Sequence, residues 1–203
     1  DALELPPAMH VCSNGAVVVD YPPFTVVRQV NFDPGPVIDR VVSQMDALIA
    51  VEEIGVGYRV SAAFPEGELY GDTFHESLDS LRSRPVSRVI VRDPNADNEE
   101  FIQLAHRLGL HGVSYFVGWS CWLDIAPEGV DKAAGLDVVC ERYGIRPVDV
   151  LAIGDGYNDV EMLRWAGRGV ALGDAHPEVK AFADHVTAKF ADGGTAEELN
   201  RWF

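Results

Sequence analysis

Apolar positions along the chain group into short runs separated by turn residues, and the spacing within those runs changes character. The opening alternates punctuation with β-branched runs: Pro6-Pro7, then Met9 to Cys12, then Ser13-Asn14-Gly15, then Ala16 to Val19. Asn-Gly between two apolar runs predicts a hairpin or turn, because both residues tolerate the left-handed conformations that tight turns need. From Pro36 onward Val37, Val41, Val42, Met45, Leu48 and Ile49 recur at three- and four-residue steps, the spacing of a helix packed by one face. A strand over Val56 to Ala63 follows. Pro65 to Pro85 is the least periodic stretch and predicts a loop with a short helix around Phe74 to Leu81. Val86 to Arg92 predicts a strand. Asp97 to Leu108 places Phe101, Leu104, Ala105 and Leu108 on one helical face, which Gly109 ends. Two strand-like runs come next, Val113 to Trp119 and Trp122 to Ala126.

After Pro127 the pattern becomes a regular alternation. A helix over Asp131 to Tyr143 ends at Gly144, and a strand over Val148 to Ile153 leads to a helix over Asp159 to Ala166. A short strand at Gly169 to Leu172, a helix at Pro177 to Ala183, a strand at His185 to Thr187 and a terminal helix at Ala196 to Trp202 complete it. Strands alternating with helices imply a parallel sheet covered by helices, so the predicted fold class is α/β.

Composition adds limits. With 203 residues, 47% hydrophobic and 24% charged, the chain suits one domain or two small ones, so any second module is compact or inserted into the first. The formal charge of -16 repels a phosphate backbone or an anionic lipid surface, which argues against nucleic acid and membranes as partners. An acidic chain still accepts a small phosphorylated metabolite where a divalent cation and one or two positive side chains invert the local field. Cys12, Cys121 and Cys140 form an odd, widely spaced set that indicates neither a disulfide framework nor a zinc site, and a reducing cytoplasm is the expected location. No run approaches the ~20 apolar residues of a membrane span.

The segment richest in chemistry is Gly154-Asp155-Gly156-Tyr157-Asn158-Asp159, set between the apolar run Val150-Leu151-Ala152-Ile153 and a helix carrying Met162 and Leu163. A strand-to-helix turn in a parallel sheet lies at its carboxyl edge, where such sheets bind ligands. Two carboxylates four positions apart in that turn can converge on one hard cation, for which Mg²⁺ is the natural candidate. A solvated Asp/Gly/Asn turn fits the same letters. Lys132 is one of only three Lys beside 13 Arg and opens a predicted helix, where a cation opposes the helix dipole. A specific anionic partner would account for its placement; a solvated helix residue is the alternative.

Gly154 to Leu163 resembles the fourth motif of the haloacid dehalogenase superfamily, in particular its Cof-type sugar-phosphatase branch, whose pattern is Gly-Asp-Gly-x-Asn-Asp-x-x-Met-Leu. Every fixed position is matched. The similarity continues through Gly169 to Ala175, Val179-Lys180 and Ala183 to Thr187. Upstream, Leu123 to Pro127 and Gly129 to Lys132 are similar to the third-motif region, and Cys12 to Ala16 to an Asn-Gly-Ala segment. The resemblance implies a Rossmann-like parallel-sheet core from residues 1–21 and 121–203, incomplete at its N-terminus, and an inserted α/β cap domain over residues 22–120. It further implies that Lys132 is catalytic and touches the phosphoryl group, that Asp155 and Asp159 hold Mg²⁺, and that Asn14 and Asn158 lie beside the phosphate or the leaving group. Arg59, Tyr70, His75, Arg92 and Trp119 are the cap candidates for reading the rest of the substrate.

The implied activity is a Mg²⁺-dependent hydrolysis of the phosphate ester of a small metabolite, such as a sugar phosphate, through an aspartyl-phosphate. The family's nucleophile belongs to an Asp-x-Asp motif, and no two Asp in these 203 residues stand two apart. The chain is therefore expected to lack the first two strands of its family, and the 203 residues alone to be inactive. A non-catalytic ligand-binding or regulatory remnant of the same fold is the alternative, and an unrelated acidic α/β binding domain a third reading.

Overall fold

In the computed structural model, residues 7–117 and 121–202 are described. The chain divides into two compact units, one made of Asp1–Val27 with Asp131–Phe203 and the other of Arg28–Val130. The switch back to the first unit thus falls at Asp131, ten residues later than expected. The strand Trp122–Pro127, expected in the first unit, is hydrogen-bonded on both sides into the sheet of the second.

The first described elements are β1 (Ala8–Cys12) and β2 (Val17–Tyr21), antiparallel and in register from Ala8↔Tyr21 to Cys12↔Val17, with β3 (Thr25–Gln29) beside β2. The predicted Asn-Gly turn joins the first two. Ser13 and Asn14 both have φ of 52° and Gly15 has 98°, so the chain reverses through left-handed conformations.

In the second unit, α1 (Gly35–Val42), β4 (Leu48–Glu53), β5 (Gly57–Val60), β6 (Asp72–His75), α2 (Leu78–Leu81), β7 (Val89–Arg92), α3 (Asn98–Arg107), β8 (Val113–Val117) and β9 (Trp122–Pro127) follow in order. The six strands form one sheet, β6-β5-β4-β7-β9-β8, in which only β5 and β6 run parallel. Period-2 alternation sends Ile49, Val51, Val89, Val91, Leu123 and Ile125 to one face, where they pack with residues of α1 and α3. The helix predicted from Pro36 stops at Val42, because Ile49 and Val51 gain more by pairing against Val91 and Val89 than by extending a helix past Ser43-Gln44. Phe74, predicted as helical, lies in β6 and pairs with Arg59.

Back in the first unit come α4 (Lys132–Tyr143), β10 (Leu151–Gly154), α5 (Val160–Trp165), β11 (Arg168–Ala171), α6 (Pro177–Lys180), β12 (His185–Val186) and α7 (Gly194–Leu199). Asp131 caps α4 by accepting the Ala134 N–H at 2.8 Å, and Gly144 ends it at φ 67°. The three strands form the predicted parallel sheet in the order β10-β11-β12. β10 starts later than the apolar run because Pro147–Asp149 makes a 3₁₀ turn that leaves Val148 exposed. Ala152, Leu163, Ala166, Ala171 and Val179 form the core between this sheet and its helices.

Candidate active site

The chain leaves β10 at Gly154 and folds at once into the turn that ends at Asp159. Asp159 is only 4% exposed. Its carboxylate folds back so that Oδ2 accepts the backbone N–H groups of Asp155 at 3.0 Å and Gly156 at 2.9 Å. That posture requires glycine at the end of the strand, since a Cβ on Gly154 would stand 2.5 Å from the Cβ of Asp159. The other oxygen, Oδ1, accepts a charge-assisted hydrogen bond from Lys132 Nζ. Asp159 is thus the anionic partner that accounts for a lysine at the first position of α4.

The start of α4 is held against the β1–β2 turn by close backbone packing. A Cβ on Gly15 would stand 1.8 Å from the Asp131 carbonyl oxygen, and one on Gly135 would stand 2.4 Å from Cγ1 of Val11. The same packing brings the turn's Asn14 to the site, where its Oδ1 accepts a 3.0 Å hydrogen bond from Asn158 Nδ2. Asn14 Nδ2 is buried and has no partner among the described residues; Ser13 Oγ and His10 Nε2 share that condition. A cavity of about 440 Å³ opens here, with Asn14, Lys132 and Asp159 at its polar end and Leu136, Ile153 and Met162 among its apolar walls.

The structure therefore brings Lys132, Asp159, Asn158 and Asn14 together within the first unit. Asp155 stands in the same turn, exposed, and its carboxylate takes no partner among the described residues. The acceptor atoms of the two Asp and the Asn side chains are all oxygens, which suit a hard cation. Among the described residues no three His, Cys, Asp or Glu side chains converge on one point, so Asp155 and Asp159 would furnish only part of a cation's coordination shell. Beside them, the Lys132 ammonium and the unpartnered Asn14 amide are donors suited to an anion.

The residues expected to read a substrate in the second unit fare differently. Arg59 is buried and ion-paired with Glu53 at 3.1 Å and Glu76 at 3.4 Å. Arg92 makes two 2.8 Å hydrogen bonds to the carboxylate of Glu68. Both guanidinium groups serve the unit's own structure. Tyr70 and His75 are exposed, and Trp119 lies outside the described residues. Sequence reasoning missed the seating of α4 on the hairpin through Gly15 and Gly135. The positive φ required at Asn-Gly was the signal for the first; the second carried none.

Residues 1–199 match the sequence profile of a family described as haloacid dehalogenase-like hydrolase. The chain is 33% identical over 135 residues to an HMP-PP phosphatase of Cronobacter sakazakii, a match covering 64% of this chain and 49% of that protein. It is 44% identical over 103 residues to a phosphoglycolate phosphatase of Methanopyrus kandleri, covering 51% of this chain and 44% of that one. The chain thus spans less than half the length of either relative. A solved sugar phosphatase of haloacid dehalogenase subclass IIB superposes with a TM-score of 0.80 at 20% identity, over 96% of this chain and 75% of that one.

Proposed function

The chain belongs to the haloacid dehalogenase-like hydrolases, and from that premise we propose that it is part of a Mg²⁺-dependent phosphatase of a small phosphorylated metabolite, such as a sugar phosphate. The observation that carries this reading is the convergence of Lys132, Asp159, Asn158 and Asn14 at the carboxyl end of β10, beside one cavity. Phosphoryl transfer asks little covalent help of a protein beyond its nucleophile. It asks for neutralised charge on the equatorial oxygens and an attacking atom held in line.

Lys132 supplies positive charge toward the phosphoryl group, held in place by Asp159, whose own carboxylate is fixed by two backbone N–H groups. Asn14 offers its unpartnered Nδ2 to a phosphate or leaving-group oxygen, and Asn158 fixes the orientation of that amide by binding its Oδ1. Mg²⁺ would be held by Asp155, with Asp159 beside it, and when bound would neutralise phosphate charge. The attacking carboxylate that would form the aspartyl-phosphate is matched by no Asp-x-Asp pair in the 203 residues. The Arg28–Val130 unit corresponds in this reading to the family's inserted α/β cap, the module that would read the leaving group.

The test is a panel of phosphorylated metabolites offered to the complete protein with and without Mg²⁺. Release of phosphate that requires Mg²⁺ and collapses in Lys132→Met supports the reading. A complete, folded protein that hydrolyses no member of a broad panel favours the non-catalytic alternative.

A further inference from the structure

We propose that Tyr157 is a positioning residue for the metal carboxylate Asp155, acting through a latch onto His176 and Glu178. The proposal deepens the phosphatase reading and rests on it for the role of Asp155. In the turn after β10, three consecutive side chains are each fastened to a different element. Asp159 is tied to Lys132 at the start of α4, and Asn158 to Asn14 in the β1–β2 turn. Tyr157 donates its hydroxyl to Glu178 Oε2 at 2.9 Å, and the Tyr157 hydroxyl oxygen also lies 2.8 Å from His176 Nδ1. The Tyr157 and His176 rings pack with centroids 5.5 Å apart.

The far side of this latch is itself secured. His176 caps α6, and Lys180 Nζ donates to the Gly173 carbonyl at 2.7 Å, closing the Gly173–Lys180 segment on itself. The turn is thus pinned on three sides, and the exposed Asp155 side chain has no partner among the described residues. The first two pins belong to the site's own polar cluster. The third reaches across to residues with no place in the chemistry, so its removal loosens the turn while sparing every proposed ligand and donor. A carboxylate on a loosened turn must be ordered when a cation binds, and that ordering weakens binding.

Tyr157→Phe removes the hydroxyl and keeps the ring against His176. Calorimetry with MgCl₂ on the complete protein should show affinity reduced by about three- to tenfold, the range expected for one lost side-chain hydrogen bond. The melting temperature should move by no more than about 3 °C, since the bond is exposed and the core untouched. His176→Ala with Glu178→Ala should reproduce the loss, and adding Tyr157→Phe to that pair should weaken binding no further. Amide exchange of the peptide covering residues 154–159 gives a readout independent of the metal, and should be several-fold faster in Tyr157→Phe. Wild-type Mg²⁺ affinity in Tyr157→Phe, additive losses in the triple variant, or unchanged exchange would each overturn the latch. A wild-type protein that binds no Mg²⁺ yet shows the exchange difference supports the latch and counts against the proposed metal site.

Discussion

Lys132, the first residue of α4, is ion-paired with the buried Asp159, 27 positions further along the chain at the end of the β10 turn. Helix dipoles disfavour a cation at that end, and Asp159 together with the capping Asp131 reverses the local field. Removing either partner should therefore be felt twice. Lys132→Met leaves the Asp159 carboxylate buried with backbone N–H groups only, and should destabilise the protein by about 1–3 kcal/mol in urea titrations. Turnover of a phosphate ester by the complete protein should fall by about 10²–10³-fold, the usual effect of losing one electrostatic contact to developing charge. A variant that is destabilised but turns over normally would place the pair among purely structural ones.

Gly154 makes a sharper case, because the substitution adds only a methyl group. A Cβ there would sit 2.5 Å from the Cβ and 2.6 Å from the Cγ of Asp159, well inside contact distance. Gly154→Ala is expected to push Asp159 outward, break its two backbone hydrogen bonds and separate it from Lys132. Phosphatase activity should be lost to about the same degree as in Lys132→Met. Measuring both variants and their combination checks this, since shared damage predicts a double variant no worse than either alone.

For Gly15 the expected effect is on folding before chemistry. Its φ of 98° is costly for any residue with a side chain, and a Cβ would meet the Asp131 carbonyl oxygen at 1.8 Å. Gly15→Ala should cost upward of about 2 kcal/mol, seen as a drop in the urea midpoint, because backbone must move on both sides of the contact. A midpoint within error of wild type would mean that α4 does not depend on seating against this turn.

Much of this site was legible in the sequence because its parts are local. The Asn14-Gly15 hairpin, the Asp131 cap, the Gly144 stop and the Gly154–Asp159 turn are each announced by residues within a few positions. The Lys132–Asp159 pair joins two such ends across a sheet edge, and only the oddity of a lysine at a helix start hinted at it. What stayed hidden depends on distant partners. Leu48 and Ile49 continue the spacing of α1, yet the edge offered by β7 draws them into a strand. Arg59 and Arg92 look like substrate readers until Glu53, Glu76 and Glu68 close on them. The start of β9 likewise carries no sign of which sheet will take it.

Glu198 offers a test by pH. It is fully buried on α7, accepts from Arg168 at 2.6 and 3.2 Å, and takes a further 3.2 Å bond from Trp202 Nε1. The hydrogen bonds from Arg168 outweigh the penalty of burial and lower its pKa from 4.5 to about 2. A carboxyl depressed in the folded state contributes stability that is fully present above its unfolded value and is lost as pH falls toward the folded one. Wild type should therefore lose stability between about pH 4.5 and 2, the window set by those two values. In Glu198→Gln that contribution to the acid limb should disappear. At pH 7 the same variant should be less stable by about 2–4 kcal/mol, since Arg168 keeps its charge and loses its carboxylate. Urea titrations of both proteins from pH 7 down to 2 give the two curves, whose separation should narrow toward the acid end. Parallel curves would show that Glu198 is not the group being titrated.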